Sequence, residues 1–195
     1  MSACGMIAIL LADGFEEVEA VTPADFLRRA GLNVLLVGVS RERTADARVV
    51  GGHGIALAPD LAIEELKDEL DAVVLPGGSR GAENLAESSR VLDLIRSMHA
   101  RGRIVAAICA APAVVLTRAG ILAGRRVTCY PGFEQSFTGC TFSEERVVVD
   151  GHIVTSRSPG TAAEFSLKLV ELLAGEEKAR SISDATLQRA PALRA

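Results

Sequence analysis

Four short runs in this chain are apolar almost throughout: Met6–Ala12, Val34–Val39, Ala72–Pro76 and Ile104–Ile108. A strand with one wet face alternates polar and apolar residues, so runs without that alternation need cover on both faces. A parallel sheet between two helix layers gives such cover, and the segments between the runs have helical period. Glu16–Ala30 is expected to be a helix with Val18, Val21, Phe26 and Leu27 on its apolar stripe and Gly31 as its stop. Ala82–Ala100 carries helical segments ended by Gly102, and a further helix runs from about Ala110 to Ala119, closed by Gly120. After Val127 the pattern changes: Arg146–Asp150 and His152–Thr155 flank Gly151 and read as a hairpin, a small antiparallel addition to the sheet. Pro159–Ala174 reads as a packed helix with Phe165, Leu169, Leu172 and Leu173 on its apolar side. The polar tail beyond Gly175 suits another helix with a frayed end.

The chain has 195 residues and 49% apolar content, which fits a single domain, residues 1–195, with its core at about 6–179 and a tail at 180–195. Its 21 basic and 25 acidic residues leave a net charge of −4 without long like-charge runs. Neither a nucleic acid nor an anionic membrane surface is an expected partner. No Lys or Arg precedes the apolar stretch at Met6–Ala12 and acidic residues follow it, unlike a secretory signal. No run approaches the roughly 20 apolar residues of a membrane span, so a cytoplasmic protein is expected. Four cysteines, Cys4, Cys109, Cys129 and Cys140, form no Cys-x-x-Cys pair and read as reduced thiols. His53, His99 and His152 stand far apart without ligand spacing, so no metal is expected, and no motif calls for a cofactor.

Chemistry is sought at the carboxyl ends of the strands, where backbone groups and helix starts converge. Ile104–Ile108 is followed by Cys109-Ala110-Ala111-Pro112. An apolar strand, a nucleophilic residue and small residues opening a helix follow the plan of a nucleophile elbow. A helix start there would lower the thiol pKa; a buried structural cysteine fits the position as well. Pro76-Gly77-Gly78-Ser79 can turn backbone N–H groups toward an oxyanion, or serve only as a turn. In Asp13-Gly14-Phe15-Glu16-Glu17-Val18-Glu19, Asp13 can cap the helix and Glu16 and Glu17 suit its first turn. Glu19 lies beside the apolar stripe, where a carboxyl in a low-dielectric cleft acquires a raised pKa and can shuttle a proton; it could also face solvent.

Taken with Leu75-Pro76-Gly77-Gly78, Ala106-Ala107-Ile108-Cys109-Ala110-Ala111-Pro112 and Thr155-Ser156-Arg157-Ser158-Pro159-Gly160-Thr161, this segment closely resembles the ThiJ/PfpI superfamily. Within it, the likeness is to the branch of the parkinsonism-associated protein DJ-one and its bacterial relatives, from about Met6 to Ala179. The resemblance implies a flavodoxin-like three-layer sandwich, a homodimer and a reactive cysteine at the elbow. It further implies that Glu19 hydrogen-bonds the Cys109 sulfur and that Gly78 and Ala110 offer N–H groups to an oxyanion. Two departures matter. Ala110 stands where peptidase-like members place a histidine, which disfavours a Cys-His protease. Tyr130, in Val127-Thr128-Cys129-Tyr130-Pro131, stands where the animal branch has a histidine, leaving Glu19 as the evident proton shuttle and Asp25 a structural role. A phenol can still donate a hydrogen bond to substrate but is a poor base near neutral pH.

The function expected on these grounds is that of a cofactor-independent cysteine enzyme. Its substrates would be small reactive aldehydes such as glyoxal and methylglyoxal, or their amine adducts, as in a glyoxalase III or deglycase. The alternative is a redox-responsive chaperone or sensor in which Cys109 is oxidised without turnover. A glutamine amidotransferase would need glycines on both sides of the cysteine and a downstream His-x-Glu, and the chain has neither.

Overall fold

The computed structural model describes residues 6–39, 48–67 and 69–188. The strands are β1 (Met6–Leu11), β2 (Asn33–Gly38), β3 (Val49–Val50), β4 (Ala56–Leu57), β5 (Leu61–Ala62), β6 (Ala72–Leu75), β7 (Ile104–Ile108), β8 (Arg126–Val127), β9 (Thr141–Phe142), β10 (Val147–Asp150) and β11 (Ile153–Ser156). The helices are α1 (Glu17–Arg29), α2 (Ser79–Glu87), α3 (Ser89–Ala100), α4 (Thr117–Ala119), α5 (Ala162–Ala174) and α6 (Glu176–Ala185). Seven strands form one sheet in the order β10-β11-β7-β6-β1-β2-β5. Every pair in it is parallel except β10 and β11, the hairpin turned at Gly151. Two small ladders lie outside the sheet, β3 with β4 antiparallel and β8 with β9 parallel.

The apolar runs divide as a pleated strand covered on both sides must. In β1, Ile7, Ile9 and Leu11 pack with Phe26 and Leu27 of α1 and Phe165 and Leu169 of α5. Ala8 and Leu10 face the other way, toward Leu85 of α2 and Leu94, Ile95 and Met98 of α3. This is the flavodoxin-like three-layer arrangement. Because β2 lies on one side of β1 and β6 on the other, the chain reverses its winding beside β1. A crevice opens at such a switch point, beyond the carboxyl ends of the strands.

The sequence stripe on α1 needs correction. Val18 and Val21 are 47% and 46% exposed, whereas Phe26 and Leu27 are buried. Val18 and Leu27 are nine residues apart, half a turn out of phase at 100° per residue, so one face cannot hold both. The buried residues of α1 are Glu17, Glu19, Ala20, Pro23, Ala24, Phe26 and Leu27. Leu172, in the last turn of α5, is 42% exposed, whereas Phe165 and Leu169 are buried. Asp13 does not cap α1; its side chain accepts a 2.9 Å hydrogen bond from Val50 N and ties the β1–α1 turn to β3. The helical segment at 82–100 is two helices, with α2 starting already at Ser79 and the Ser88 hydroxyl accepting from Val91 N at the start of α3. The helix expected from about Ala110 begins as a wider π turn, Pro112–Leu116, before α4 and the left-handed Gly120. The tail forms α6, whose Ala179 and Ile182 are buried. Among the described residues no helix is long and apolar enough to cross a membrane.

Candidate active site

Three strand ends meet at the crevice, and each supplies one part of the site. Cys109 follows β7 with φ +65°, in the left-handed region that side chains other than glycine rarely occupy. Two backbone hydrogen bonds hold it there: Cys109 N donates to Ser156 O of β11 at 3.0 Å, and Tyr130 N donates to Cys109 O at 2.8 Å. With its own amide and carbonyl engaged, the residue presents its side chain to the crevice, and only 9% of its surface is exposed. A strained backbone held by its surroundings at the end of a strand is the elbow expected from the sequence.

Glu19 approaches from α1 and is fully buried. Its Oε2 accepts a 2.8 Å hydrogen bond from Gly77 N, at the end of β6. Its Oε1 makes no well-aligned hydrogen bond, and the remaining interaction of the carboxyl is with the Cys109 side chain. Gly77 is required between them: a Cβ there would come within 2.6 Å of Cys109 Cβ and 2.7 Å of Glu19 Oε2. Gly78 sits at φ +84°, and a side chain on it would overlap the Gly14 carbonyl oxygen and lie 2.8 Å from Glu16 N. The turn so formed aims the Gly78 amide at the Cys109 sulfur, alongside that of Ala110.

Burial raises the pKa of Glu19 to about 7, against the lowering effect of the Gly77 amide. Burial also pushes the Cys109 thiol up to about 12, reinforced by the negative charge of Glu19 and opposed by the Gly78 and Ala110 amides. The sequence expectation of a lowered thiol pKa is therefore corrected: desolvation and the neighbouring carboxylate outweigh a helix start that is here only a π turn. Two groups this strongly coupled titrate as a unit. Between those two values the pair holds one proton and one negative charge.

The crevice is a cavity of about 980 Å³ lined by Cys109, Gly78, Ala110 and Tyr130, with Asp13, Glu16, His53, Arg80 and Phe133 among the rest of its wall. Tyr130 is half exposed, its ring edge-on to Phe133 at 6.2 Å. Of the residues singled out in sequence, Cys109, Gly78, Ala110 and Tyr130 line the cavity, while Glu19 and Gly77 lie directly behind its floor. Asp25 is elsewhere, on the exposed face of α1 in an ion pair with Arg29. Cys129 is fully buried, its thiol pushed up to about 12 chiefly by burial, as befits a core residue. Cys140 is half-buried, and Cys4 lies outside the described residues.

Sequence reasoning missed His53. It stands in the loop between β3 and β4, and its Nδ1 lies 2.9 Å from Oε2 of the buried Glu17 and 3.4 Å from Glu16. Glu17 also accepts from His53 N at 2.8 Å and Ile55 N at 3.3 Å. These bonds, that from the His53 ring first, outweigh burial and hold the Glu17 carboxyl below its ordinary pKa. Glu16, Glu17 and His53 are the one trio of ligand-type side chains grouped closely among the described residues. The hydrogen bonds already occupy the Glu17 oxygens, so the trio is a hydrogen-bonded unit. The two other histidines also meet in space despite their separation in sequence: His152 Nε2 lies 2.9 Å from His99 Nδ1. They sit beyond the amino end of β7, away from the cavity.

The pattern of the DJ-1/PfpI family matches residues 6–172. The chain is 40% identical to Protein dj-1beta of Drosophila melanogaster over 182 residues, 92% of this chain and 95% of that protein. It is 36% identical to the glutathione-independent glyoxalase DJR-1.2 of Caenorhabditis elegans, across 90% of this chain and 92% of the relative. Among solved structures, oxidized Toxoplasma gondii DJ-1 superposes with a TM-score of 0.88 at 36% identity, covering 94% of this chain and 98% of that one.

Proposed function

The chain belongs to the DJ-1/PfpI family, and from that membership and the geometry of its elbow we propose a cysteine-dependent enzyme acting on small reactive aldehydes such as glyoxal and methylglyoxal, or on their early adducts with amines. The observation that carries this reading is Cys109, held at φ +65° with its side chain against the buried carboxyl of Glu19. A relative named as a glutathione-independent glyoxalase supports it.

In this mechanism the pair reacts with its shared proton on Glu19. The Cys109 thiolate forms a bond to the aldehyde carbon, and the oxyanion that develops there faces the Gly78 and Ala110 amides before taking the proton from Glu19. Glu19, now ionised, removes the hydrogen from that carbon and returns it to the adjacent carbonyl carbon. The result is a thioester of a 2-hydroxy acid. Water hydrolyses it, releasing lactate from methylglyoxal or glycolate from glyoxal and restoring the thiol. The aldehyde carbon is oxidised as its neighbour is reduced, and the proton of the first hydroxyl passes to the neighbouring oxygen, so no external oxidant, reductant or cofactor is needed.

Lactate formation from methylglyoxal, measured for native protein, Cys109→Ser and Glu19→Ala, tests the proposal. Native protein turns over and both variants lose activity; native protein that makes no more lactate than buffer refutes it. A second reading, a redox-responsive chaperone or sensor, is favoured by the same amides, because they could hold the oxygens of an oxidised sulfur. Intact-mass analysis after peroxide tests that one: oxidation at Cys4 or Cys140 with Cys109 unmodified eliminates it. A cytoplasmic homodimer completes the proposal, with the exposed Val18 and Val21 of α1 as apolar surface for a second copy to cover.

A further inference from the structure

The cavity that holds the elbow cysteine is also lined by an imidazole, that of His53, which neither the sequence motifs nor the mechanism above uses. Glu17 is buried, and an ionised carboxylate can only accept hydrogen bonds, so His53 Nδ1 carries the hydrogen shared with Glu17 Oε2 at 2.9 Å. That fixes the tautomer: in the neutral ring, Nε2 keeps its lone pair. The backbone is clamped by the same carboxylate through His53 N and Ile55 N. Gly51 gives Glu17 the room it needs, since a Cβ at that position would overlap the carboxylate. The His53 side chain itself is 71% exposed and lines the cavity with Cys109, Gly78 and Tyr130. A buried carboxylate orienting an imidazole is the arrangement by which a proton-transferring histidine is held in register.

We propose that the Glu17–His53 pair is a second proton-transfer unit of this site, with His53 as the general acid and base for the substrate oxygens and Glu17 as its positioning residue. The proposal rests on the aldehyde-enzyme reading. The proton moved by Glu19 between two carbons leaves the oxygens unbalanced. When the hydrogen leaves the first carbon, the electron pair forms a carbon–carbon double bond and the adjacent carbonyl oxygen takes a proton from His53 Nε2–H. When that hydrogen is returned to the second carbon, the hydroxyl on the first gives its proton back to His53 Nε2, and the thioester carbonyl forms. His53 ends as it began. The imidazole gives and takes the proton at one nitrogen, Nε2, while Nδ1 stays anchored to Glu17.

The groups facing His53 favour its protonated form. Glu17 of α1 and Glu16 just before it lie within ion-pair distance, and the Glu17 hydrogen bond with the two negative charges holds the His53 pKa above the ordinary value. Asp13 and Arg80, of opposite sign, share the cavity wall.

The test compares kcat, KM and the pH profile of lactate formation for native protein, His53→Asn, His53→Ala, Glu17→Gln and, as a control outside the cavity, His99→Asn. His53→Asn lowers kcat by about 100-fold with KM within about twofold, and added imidazole restores part of the rate to His53→Ala. Glu17→Gln removes the charge that favours the imidazolium and moves the alkaline limb to lower pH. His99→Asn retains the native rate. Because the His53 side chain is exposed, its removal leaves the core in place. Native turnover with His53→Asn at the native kcat overturns this role and leaves the aldehyde enzyme standing. Native protein without turnover overturns both.

Discussion

The two walls of the cavity differ above all in burial. On the elbow wall, Cys109, Gly77 and Gly78 sit at the ends of central strands with Glu19 of α1 behind them, and hydrogen bonds with the backbone of Ser156, Tyr130 and Gly77 hold them in place. Burial there is nearly complete, and it is burial that moves both pKa values. The other wall is a short loop with an exposed histidine, tied to α1 by the buried carboxylate of Glu17 and to the turn before it by Gly52 N donating to Phe15 O and Gly14 N donating to Val50 O. A buried wall tunes reactivity through desolvation, and its geometry tolerates no added atom. An exposed wall can present a titratable group without the same cost, and can be altered without loss of the fold.

The sharpest contrast is between nucleophile and partner. Cys109→Ser lowers lactate formation by at least about 1,000-fold, a larger loss than any substitution on the other wall, as read by single-turnover and steady-state assays. Packing gives the next largest difference. Gly77→Ala drives a Cβ to within 2.9 Å of the Ile108 carbonyl oxygen as well as against Cys109 and Glu19, and destabilises by about 1–3 kcal/mol in urea unfolding. On the other wall, Gly54 has open space but a φ of +85°, so Gly54→Ala costs only the left-handed backbone, about 1 kcal/mol. Equal losses at the two positions would break the distinction between the walls.

Linkage separates the buried carboxyl from the exposed groups. Glu19 has a raised folded-state pKa, so the folded protein binds the extra proton between the ordinary 4.5 and about 7. Its contribution to stability is fully present below 4.5 and is lost as pH rises through about 7, a change of roughly 3 kcal/mol. Glu19→Gln removes that dependence and is the more stable protein at pH 8, by urea midpoints across the range. The smallest effect belongs to the His99–His152 pair. Both pKa values are lowered, chiefly by burial, so stability is present above the ordinary 6.5 and falls as pH drops through the folded values. His152→Asn flattens the decline in Tm below pH 6.5; a native Tm that is level there contradicts it.

The elbow wall was legible in sequence because its parts are local. An apolar run ending in Cys109, a Gly-Gly pair after another run and a carboxyl two residues beyond Glu17 each announce themselves within a few positions. The sheet was legible for the same reason, since both faces of β1 are apolar. The phase of α1 was not, because Val18 and Val21 share hydrophobicity with Phe26 and Leu27 but not their side of the helix. His53 was not legible either. Its partner lies 36 residues away, and only the flanking glycines, Gly51-Gly52-His53-Gly54, mark the turn that brings it to the cavity. The direction of the Cys109 shift was misread because sequence shows a helix start but not the desolvation that outweighs it.

The central claim is that Cys109 and Glu19 hold one proton between them, and the pH dependence of Cys109 alkylation tests it most directly. Iodoacetamide rates, followed by intact mass for native protein and Glu19→Gln from pH 5 to 10, report the thiolate. The account predicts that the native rate rises through about pH 7, where the pair loses its first proton, and then levels off, and that Glu19→Gln abolishes this inflection. A native profile that rises only in the ordinary thiol range, and is unchanged by Glu19→Gln, would contradict it.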